Sequence, residues 1–145
     1  MLKDIYRSSL EFVSSKTGLP SQKLSQILRF LMVGGGLNLA LLGLVFGLEQ
    51  SGFGYDFALL ITNIVGLFIN YILNRTFVFG SSGRVIRTAA LYALTYASVY
   101  VLQLGLYRVI FATDLFHEYL AIILTVGITA IYAYIMLEKV VFPDK

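Results

Sequence analysis

Four long apolar stretches constrain this chain more than any other feature of its sequence. Residues 30–48, 57–73, 88–107 and 119–137 each approach the ~20 residues that a helix needs to cross ~30 Å of hydrocarbon. Of the 145 residues, 58% are hydrophobic and only 13% are charged, so too few polar side chains are available to cover a soluble domain. The sequence therefore predicts an all-α membrane protein with four transmembrane helices.

The lysine and arginine residues predict how these helices are oriented. Such residues cluster before the first span, between the second and third spans, and after the fourth, at Lys3, Arg7, Lys16, Lys23, Arg29, Arg75, Arg84, Arg87, Lys139 and Lys145. The other two loops hold Glu49 and Asp56, and then Arg108, Asp114, His117 and Glu118. Because lysine and arginine favour the cytoplasmic side, both termini and the middle loop are predicted to be cytoplasmic, with the protein in the cytoplasmic membrane.

The chain divides by composition into residues 1–25, a cytoplasmic N-terminal segment, and residues 26–145, a transmembrane domain. The N-terminal segment does not resemble a secretory signal, because charges, Gly18 and Pro20 interrupt its apolar residues. Two interpretations of it stay open. It is either an interfacial helix on the inner leaflet or a solvated leader.

A shift of the chain by 63 residues aligns the second span with the fourth. The aligned pairs are Ala58 with Ala121, Thr62 with Thr125, Tyr71 with Tyr134, Ile72 with Ile135, Val78 with Val141, and Phe79 with Phe142. Two helices in each copy would give a parallel repeat about an axis along the membrane normal. The copies differ at Asn63, Asn70, Asn74 and Arg75, where the second has Val126, Ala133, Leu137 and Glu138.

The second span carries three asparagines, Asn63, Asn70 and Asn74, and ends at Arg75. At 100° per residue, Asn63 and Asn70 lie about 20° apart and Asn70 and Asn74 about 40° apart, so the three define one amide face. Amides inside a bilayer are costly unless a partner or a substrate satisfies them. The amide face is therefore the main candidate site.

The first span has two faces of interest. A small-residue stripe, consisting of Gly36, Ala40, Gly43 and Gly47, predicts close helix packing, either within the protomer or between the protomers of a homodimer. Asn38 lies on a different face. The glycine run at residues 34–36 either loosens the helix and frees backbone groups for a ligand, or belongs to a continuous packed helix.

The third span places Tyr96, Tyr100 and Gln103 within one arc of the helix. These side chains lie too deep for the interfacial tyrosine belt. Their hydroxyl and amide groups need partners, which are either a neighbouring helix or a polar ligand.

Several residue types that catalysis requires are missing from the sequence. There are no cysteines, the one histidine is His117 in an outer loop, and no phosphate-binding G-x-x-x-x-G-K-[ST] motif occurs. No Ser/His/Asp set is available. The sequence thus predicts no catalytic residue, metal site or cofactor, and no nucleic-acid partner.

Two patterns resemble those of the GtrA-like family of small four-helix membrane proteins. They are F-x-x-V-G-x(3)-N from Phe30 to Asn38 and N-x(3)-N-R-x-F-V-F from Asn70 to Phe79, and the resemblance covers residues 26–143. It implies a role in cell-surface polysaccharide synthesis, in which a polyprenyl-phosphate-linked sugar, such as undecaprenyl-phosphate glucose, moves to the outer leaflet. A separate membrane glycosyltransferase then uses the sugar. Some members have instead been discussed as scaffolds that recruit the transferase.

A lipid-linked sugar phosphate presents an anion, several hydroxyls and an apolar tail. Arg75 suits the phosphate, although it equally suits a snorkelling anchor at the membrane boundary. The sugar-binding candidates are Asn38, Asn63, Asn70, Asn74, Tyr96, Tyr100 and Gln103. Translocation and scaffolding stay open as functions, whereas a proton-coupled small-cation exporter is disfavoured because no acid lies in mid-span.

Overall fold

The fold consists of five α-helices in a computed structural model that describes residues 2–112 and 118–143, except for the side chains of residues 2–5, 111, 112, 118 and 119. The helices are α1 (Leu2–Thr17), α2 (Ser21–Gln50), α3 (Tyr55–Leu73), α4 (Val85–Ala112) and α5 (Glu118–Met136). A first π-helical segment, Asn74–Val78, continues α3, and a second, Leu137–Val141, continues α5. Asp114, His117 and Lys145 of the predicted loops and tail lie outside the described residues.

Four of these helices are long and apolar enough to cross a membrane, over Ser21–Gln50, Tyr55–Val78, Val85–Ile110 and Leu120–Val141. The prediction of an all-α protein with four membrane-spanning helices is confirmed. The helices extend beyond the apolar stretches, most of all α2. Its 30 residues measure about 45 Å at 1.5 Å per residue, more than the ~30 Å hydrocarbon thickness.

The chain folds as two compact units, Met1–Gly80 and Ser81–Lys145. The first unit contains α1, α2, α3 and the first π-helical segment. The second contains α4, α5 and the second π-helical segment. In the second unit, α5 and its π-helical segment begin and end 63 residues after α3 and its π-helical segment, so the predicted register of the repeat is confirmed by the element bounds.

In the first unit, α1 folds back on the beginning of α2. Leu10 is buried, and the hydroxyls of Tyr6 and Ser25 lie 3.0 Å apart in a hydrogen bond. The chain reverses at Gly18, whose φ of 69° is a left-handed conformation that glycine adopts without strain. Beyond this turn, α2 runs unbroken through the glycine run at residues 34–36, so the continuous helix is confirmed. Packing on these glycines is not observed, because a Cβ at any of the three would meet nothing within 4 Å among the described residues.

A buried stripe holds α3 in the first unit, and it recurs every fourth residue: Ala58, Thr62, Gly66, Asn70, Asn74 and Val78. Asn70 is half-buried and the others are buried. A Cβ on Gly66 would lie 2.5 Å from Leu41 Cδ1 of α2, so the Leu41 side chain packs directly over Gly66. The matching stripe of the second unit, all buried, is Ala121, Thr125, Thr129, Ala133, Leu137 and Val141.

The small-residue stripe of α2 is exposed at all four positions. A Cβ added at Gly36, Gly43 or Gly47 would meet nothing within 4 Å among the described residues. Packing of this stripe within the protomer is therefore not observed in the described part of the chain. Packing against a second protomer stays a prediction.

Candidate functional site

Two of the predicted asparagines are joined at the end of α3. The side-chain nitrogen of Asn74 donates to the backbone oxygen of Asn70 at 2.9 Å and to its side-chain oxygen at 2.7 Å. Asn74 is only 1% exposed and belongs to the first π-helical segment. The amide of Asn74 is therefore fixed in one orientation, with its nitrogen committed to Asn70.

The other end of the same amide is the most unusual feature of the unit. The side-chain oxygen of Asn74 is buried and accepts no hydrogen bond from the described residues. An unsatisfied buried acceptor destabilises a fold by about 1–3 kcal/mol. The fold itself does not require an amide here, because the equivalent position of the second unit holds Leu137, which is 0% exposed.

The π-helical geometry is shared by both units. The backbone N–H of Phe79 donates to Asn74 O at 2.9 Å, and that of Phe142 donates to Leu137 O at 2.7 Å. Such segments often occur at functional sites. The same geometry recurs in the second unit, where leucine stands in place of Asn74, so it belongs to the architecture of both units. The side chains placed on it distinguish the two units.

Arg75 is positioned by a tyrosine one turn earlier on the helix. Its Nη1 donates to the hydroxyl of Tyr71 at 3.1 Å, and Tyr71 is buried while Arg75 is half-buried. In the second unit, the hydroxyl of Tyr134 donates to Glu138 Oε1 at 3.3 Å. The same tyrosine scaffold thus orients a cation in one unit and a carboxylate in the other.

Asn63 and Asn38 do not join this buried group, since both side chains are exposed. For Asn63 the reason is geometric. The buried stripe steps by four residues and turns about 40° at each step, so it meets the amide face only toward the end of α3, at Asn70 and Asn74.

The three candidates on α4 belong to the second unit and differ in exposure. The ring centroid of Tyr96 lies 4.6 Å from the ring centroid of Tyr92, which is buried. Tyr96 and Gln103 are half-buried, and Tyr100 is exposed. A neighbouring ring therefore accounts for part of the environment of Tyr96, and the outward position of Tyr100 leaves it accessible to lipid or ligand.

The family model described as "GtrA/DPMS, transmembrane domain" matches residues 29–142, which include α3 to α5 and most of α2. The chain belongs to the GtrA/DPMS family. This family assignment indicates a multi-pass membrane protein of glycan synthesis that handles lipid-linked sugars. No relative with a curated description matches the chain.

The GtrA/DPMS domain begins at Arg29, which is not among the predicted substrate-binding residues. Arg29 Nη1 donates to the backbone oxygen of Phe77 at 3.3 Å, and its guanidinium carbon lies 5.4 Å from the Phe77 ring centroid. No carboxylate of the described residues pairs with it. The antiparallel arrangement of α2 and α3 thus brings two arginines to one end of the unit. The sequence signal was available, because Arg29 and Arg75 terminate neighbouring apolar spans at the same predicted boundary.

The acidic side chains of the described region do not converge. No group of three or more histidine, cysteine, aspartate or glutamate side chains that could hold a metal ion occurs among the described residues. The polar groups at the end of α3 are instead amides, the hydroxyl of Tyr71 and the guanidinium groups of Arg75 and Arg29. These groups bind anions and sugar hydroxyls by hydrogen bonds.

Proposed function

We propose that this protein translocates a polyprenyl-phosphate-linked sugar across the cytoplasmic membrane for the synthesis of a cell-surface glycan. The observation that carries the proposal is the unsatisfied, buried oxygen of Asn74 next to Arg75. The second unit has leucine and glutamate at these two positions, in the equivalent π-helical segment. An architectural role would not require the polar pair in one copy alone.

Each part of such a substrate has a matching group in the first unit. Arg75, oriented by Tyr71, binds the phosphate by charge-assisted hydrogen bonds. The free side-chain oxygen of Asn74 accepts a hydrogen bond from a sugar hydroxyl, and Asn70 supplies a second amide. The polyprenyl tail stays among the lipids, beside the apolar surface of the spans.

Arg29 adds a second positive charge at the same end of the unit. Its exposed guanidinium rests on the Phe77 ring, where it attracts an anionic head group before the head group reaches Arg75. Asn38, Asn63, Tyr96, Tyr100 and Gln103 stay predicted sugar-contacting residues. With the positive-inside orientation, the arginine end faces the cytoplasm, where a lipid-linked sugar is made.

No catalytic step by this chain is part of the proposal. Translocation driven by consumption of the sugar on the far side requires neither a nucleotide motor nor a proton-coupling group. A membrane glycosyltransferase is the expected partner, because it would remove the translocated sugar from the outer leaflet. The exposed small-residue stripe of α2 is the surface that we propose for homodimer contact.

A scaffold that recruits the glycosyltransferase is the second candidate function. It is favoured by α1, which lies outside the GtrA/DPMS domain and carries Phe12 with 64% of its surface exposed. A scaffold would work through such a protein-binding surface. It would tolerate changes at Asn74 and Arg75.

The deciding experiment reconstitutes the purified protein in liposomes without any transferase. A polyprenyl-phosphate sugar is placed in both leaflets, and the fraction accessible to an external sugar-modifying reagent is followed over time. Translocation predicts that the inner pool becomes accessible faster than in protein-free vesicles. Equal rates would contradict translocation and leave scaffolding as the better account.

A further inference from the structure

We infer that Thr62 is a further substrate-contacting residue, and that Thr62 and Asn74 bind successive hydroxyls of the sugar as it crosses the membrane. This inference rests on the proposed function and adds a residue that the sequence patterns did not single out. Three observations carry it: the burial of Thr62, its missing hydrogen-bond partner, and the contrast with its counterpart in the second unit.

The hydroxyl of Thr62 is isolated inside the described structure. The residue is 5% exposed, and its Oγ1 has no hydrogen-bond partner among the described residues. Buried polar groups are nearly always hydrogen-bonded, so each exception calls for an explanation. Asn74 is the other member of the buried stripe with such an atom.

The counterpart of Thr62 shows that the fold offers a simple remedy. Thr125, 2% exposed in the second unit, donates from its hydroxyl to the backbone oxygen of Ala121 at 2.8 Å, one turn back. Rotation about a single side-chain bond would give Thr62 the corresponding bond to Ala58. In the observed rotamer, the hydroxyl is instead kept available as both donor and acceptor.

The two unsatisfied groups lie on one stripe of one helix. Twelve residues separate them, or about 18 Å along the helix axis, which is more than half of the ~30 Å hydrocarbon core. Gly66 lies between them and is covered by the side chain of Leu41 of α2. A sugar that leaves the Asn70 and Asn74 amides therefore finds its next polar side chain on this stripe at Thr62.

Both groups are buried in the observed conformation. A sugar can reach them only when the packing over the stripe opens, and in the observed conformation that packing is closed. The unsatisfied oxygens make this state less stable, and substrate hydroxyls would satisfy them in the open state. Differential stabilisation of one state is how a ligand shifts a conformational equilibrium.

The test compares the Thr62→Val and Thr125→Val variants with the wild type, each reconstituted in liposomes. Valine has nearly the shape of threonine but lacks the hydroxyl. We expect Thr62→Val to slow the leaflet exchange of the polyprenyl-phosphate sugar about three- to tenfold, the loss of about one hydrogen bond. The thermal unfolding midpoint of this variant should equal or exceed that of the wild type. Thr125→Val should leave the exchange rate within about twofold.

A second variant, Thr62→Ser, separates the hydroxyl from the shape of the side chain and should keep most of the exchange rate. If Thr62→Val exchanges at the wild-type rate while the wild type is active, the role of Thr62 is refuted and translocation stands. Equal slowing by Thr62→Val and Thr125→Val would also refute it, because the effect would then be general to the fold. An inactive wild type would instead refute the proposed function.

Discussion

Replacement of Asn74 by leucine separates a functional amide from a structural one. The second unit provides the design, since Leu137 occupies the equivalent place on the second π-helical segment and is fully buried there. The backbone of the first unit has the same π-helical hydrogen bond, so a leucine side chain fits the local geometry. Asn74→Leu therefore removes the polar group with little demand on the fold.

The expected change in stability follows from the hydrogen bonds of Asn74. The variant loses two donations to Asn70, each about 0.6 kcal/mol if they resemble measured interhelical bonds in membranes. It also removes an unsatisfied buried oxygen, which is worth about 1–3 kcal/mol. The free energy of unfolding should be unchanged or should rise by up to about 2 kcal/mol.

Function should change in the opposite direction. A sugar hydroxyl that meets leucine in place of the Asn74 oxygen loses its acceptor, and leaflet exchange should fall tenfold or more, about 1.4 kcal/mol. Thermal unfolding in detergent and exchange in liposomes measure the two quantities on one preparation. The control, Leu137→Ala, should destabilise the fold by about 2–5 kcal/mol through a cavity. The rate of leaflet exchange per folded molecule should stay at the wild-type value in this control. Full exchange by a stable Asn74→Leu variant would refute the reasoning.

Three further predictions concern charge, packing and the N-terminal helix. Arg75→Glu, which copies the charge of the second unit, should reduce exchange about 10- to 100-fold in the liposome assay, and Arg75→Lys should lose less because it keeps the charge. Gly66→Ala should have a lower thermal unfolding midpoint than Gly43→Ala, because its Cβ forces the Leu41 side chain of α2 to shift, whereas a Cβ at Gly43 meets nothing; equal midpoints would contradict this. Since the chain has no cysteine, a fluorophore attached to a Phe12→Cys variant can report whether α1 lies on the membrane. If α1 is interfacial, lipid-borne quenchers should quench this fluorophore more than a fluorophore attached to Glu11→Cys. If α1 is a solvated leader, both fluorophores should be quenched equally.

Much of the fold follows from the sequence because the bilayer restricts the options. Apolar length alone predicts the four spans, and the 63-residue shift predicts the register in which α5 repeats α3. The continuous course of α2 through three glycines does not follow in the same way, since the sequence allows both a loosened and a continuous helix there and the structure shows the latter. The π-helical segments were not predicted, because no residue pattern in the chain distinguishes them from ordinary helix ends.

The site was harder to predict because it depends on which side of a helix is covered. A rotation of 100° per residue places Asn63, Asn70 and Asn74 on one face of the helix. The buried stripe recurs every fourth residue and includes Asn70 and Asn74 but not Asn63. The same stripe includes Thr62, which the sequence pattern marks only as one member of an aligned pair. Arg29 was missed because its contact with Phe77 joins residues 48 positions apart.

The central claim is that the polar pair Asn74 and Arg75 carries a lipid-linked sugar across the membrane. The most direct measurement is leaflet exchange of a polyprenyl-phosphate sugar in transferase-free liposomes that contain the wild type or the double variant Asn74→Leu, Arg75→Glu. We predict that the wild type accelerates exchange well above that of protein-free vesicles, and that the folded double variant returns it to that background. Exchange by the double variant at the wild-type rate would contradict the claim.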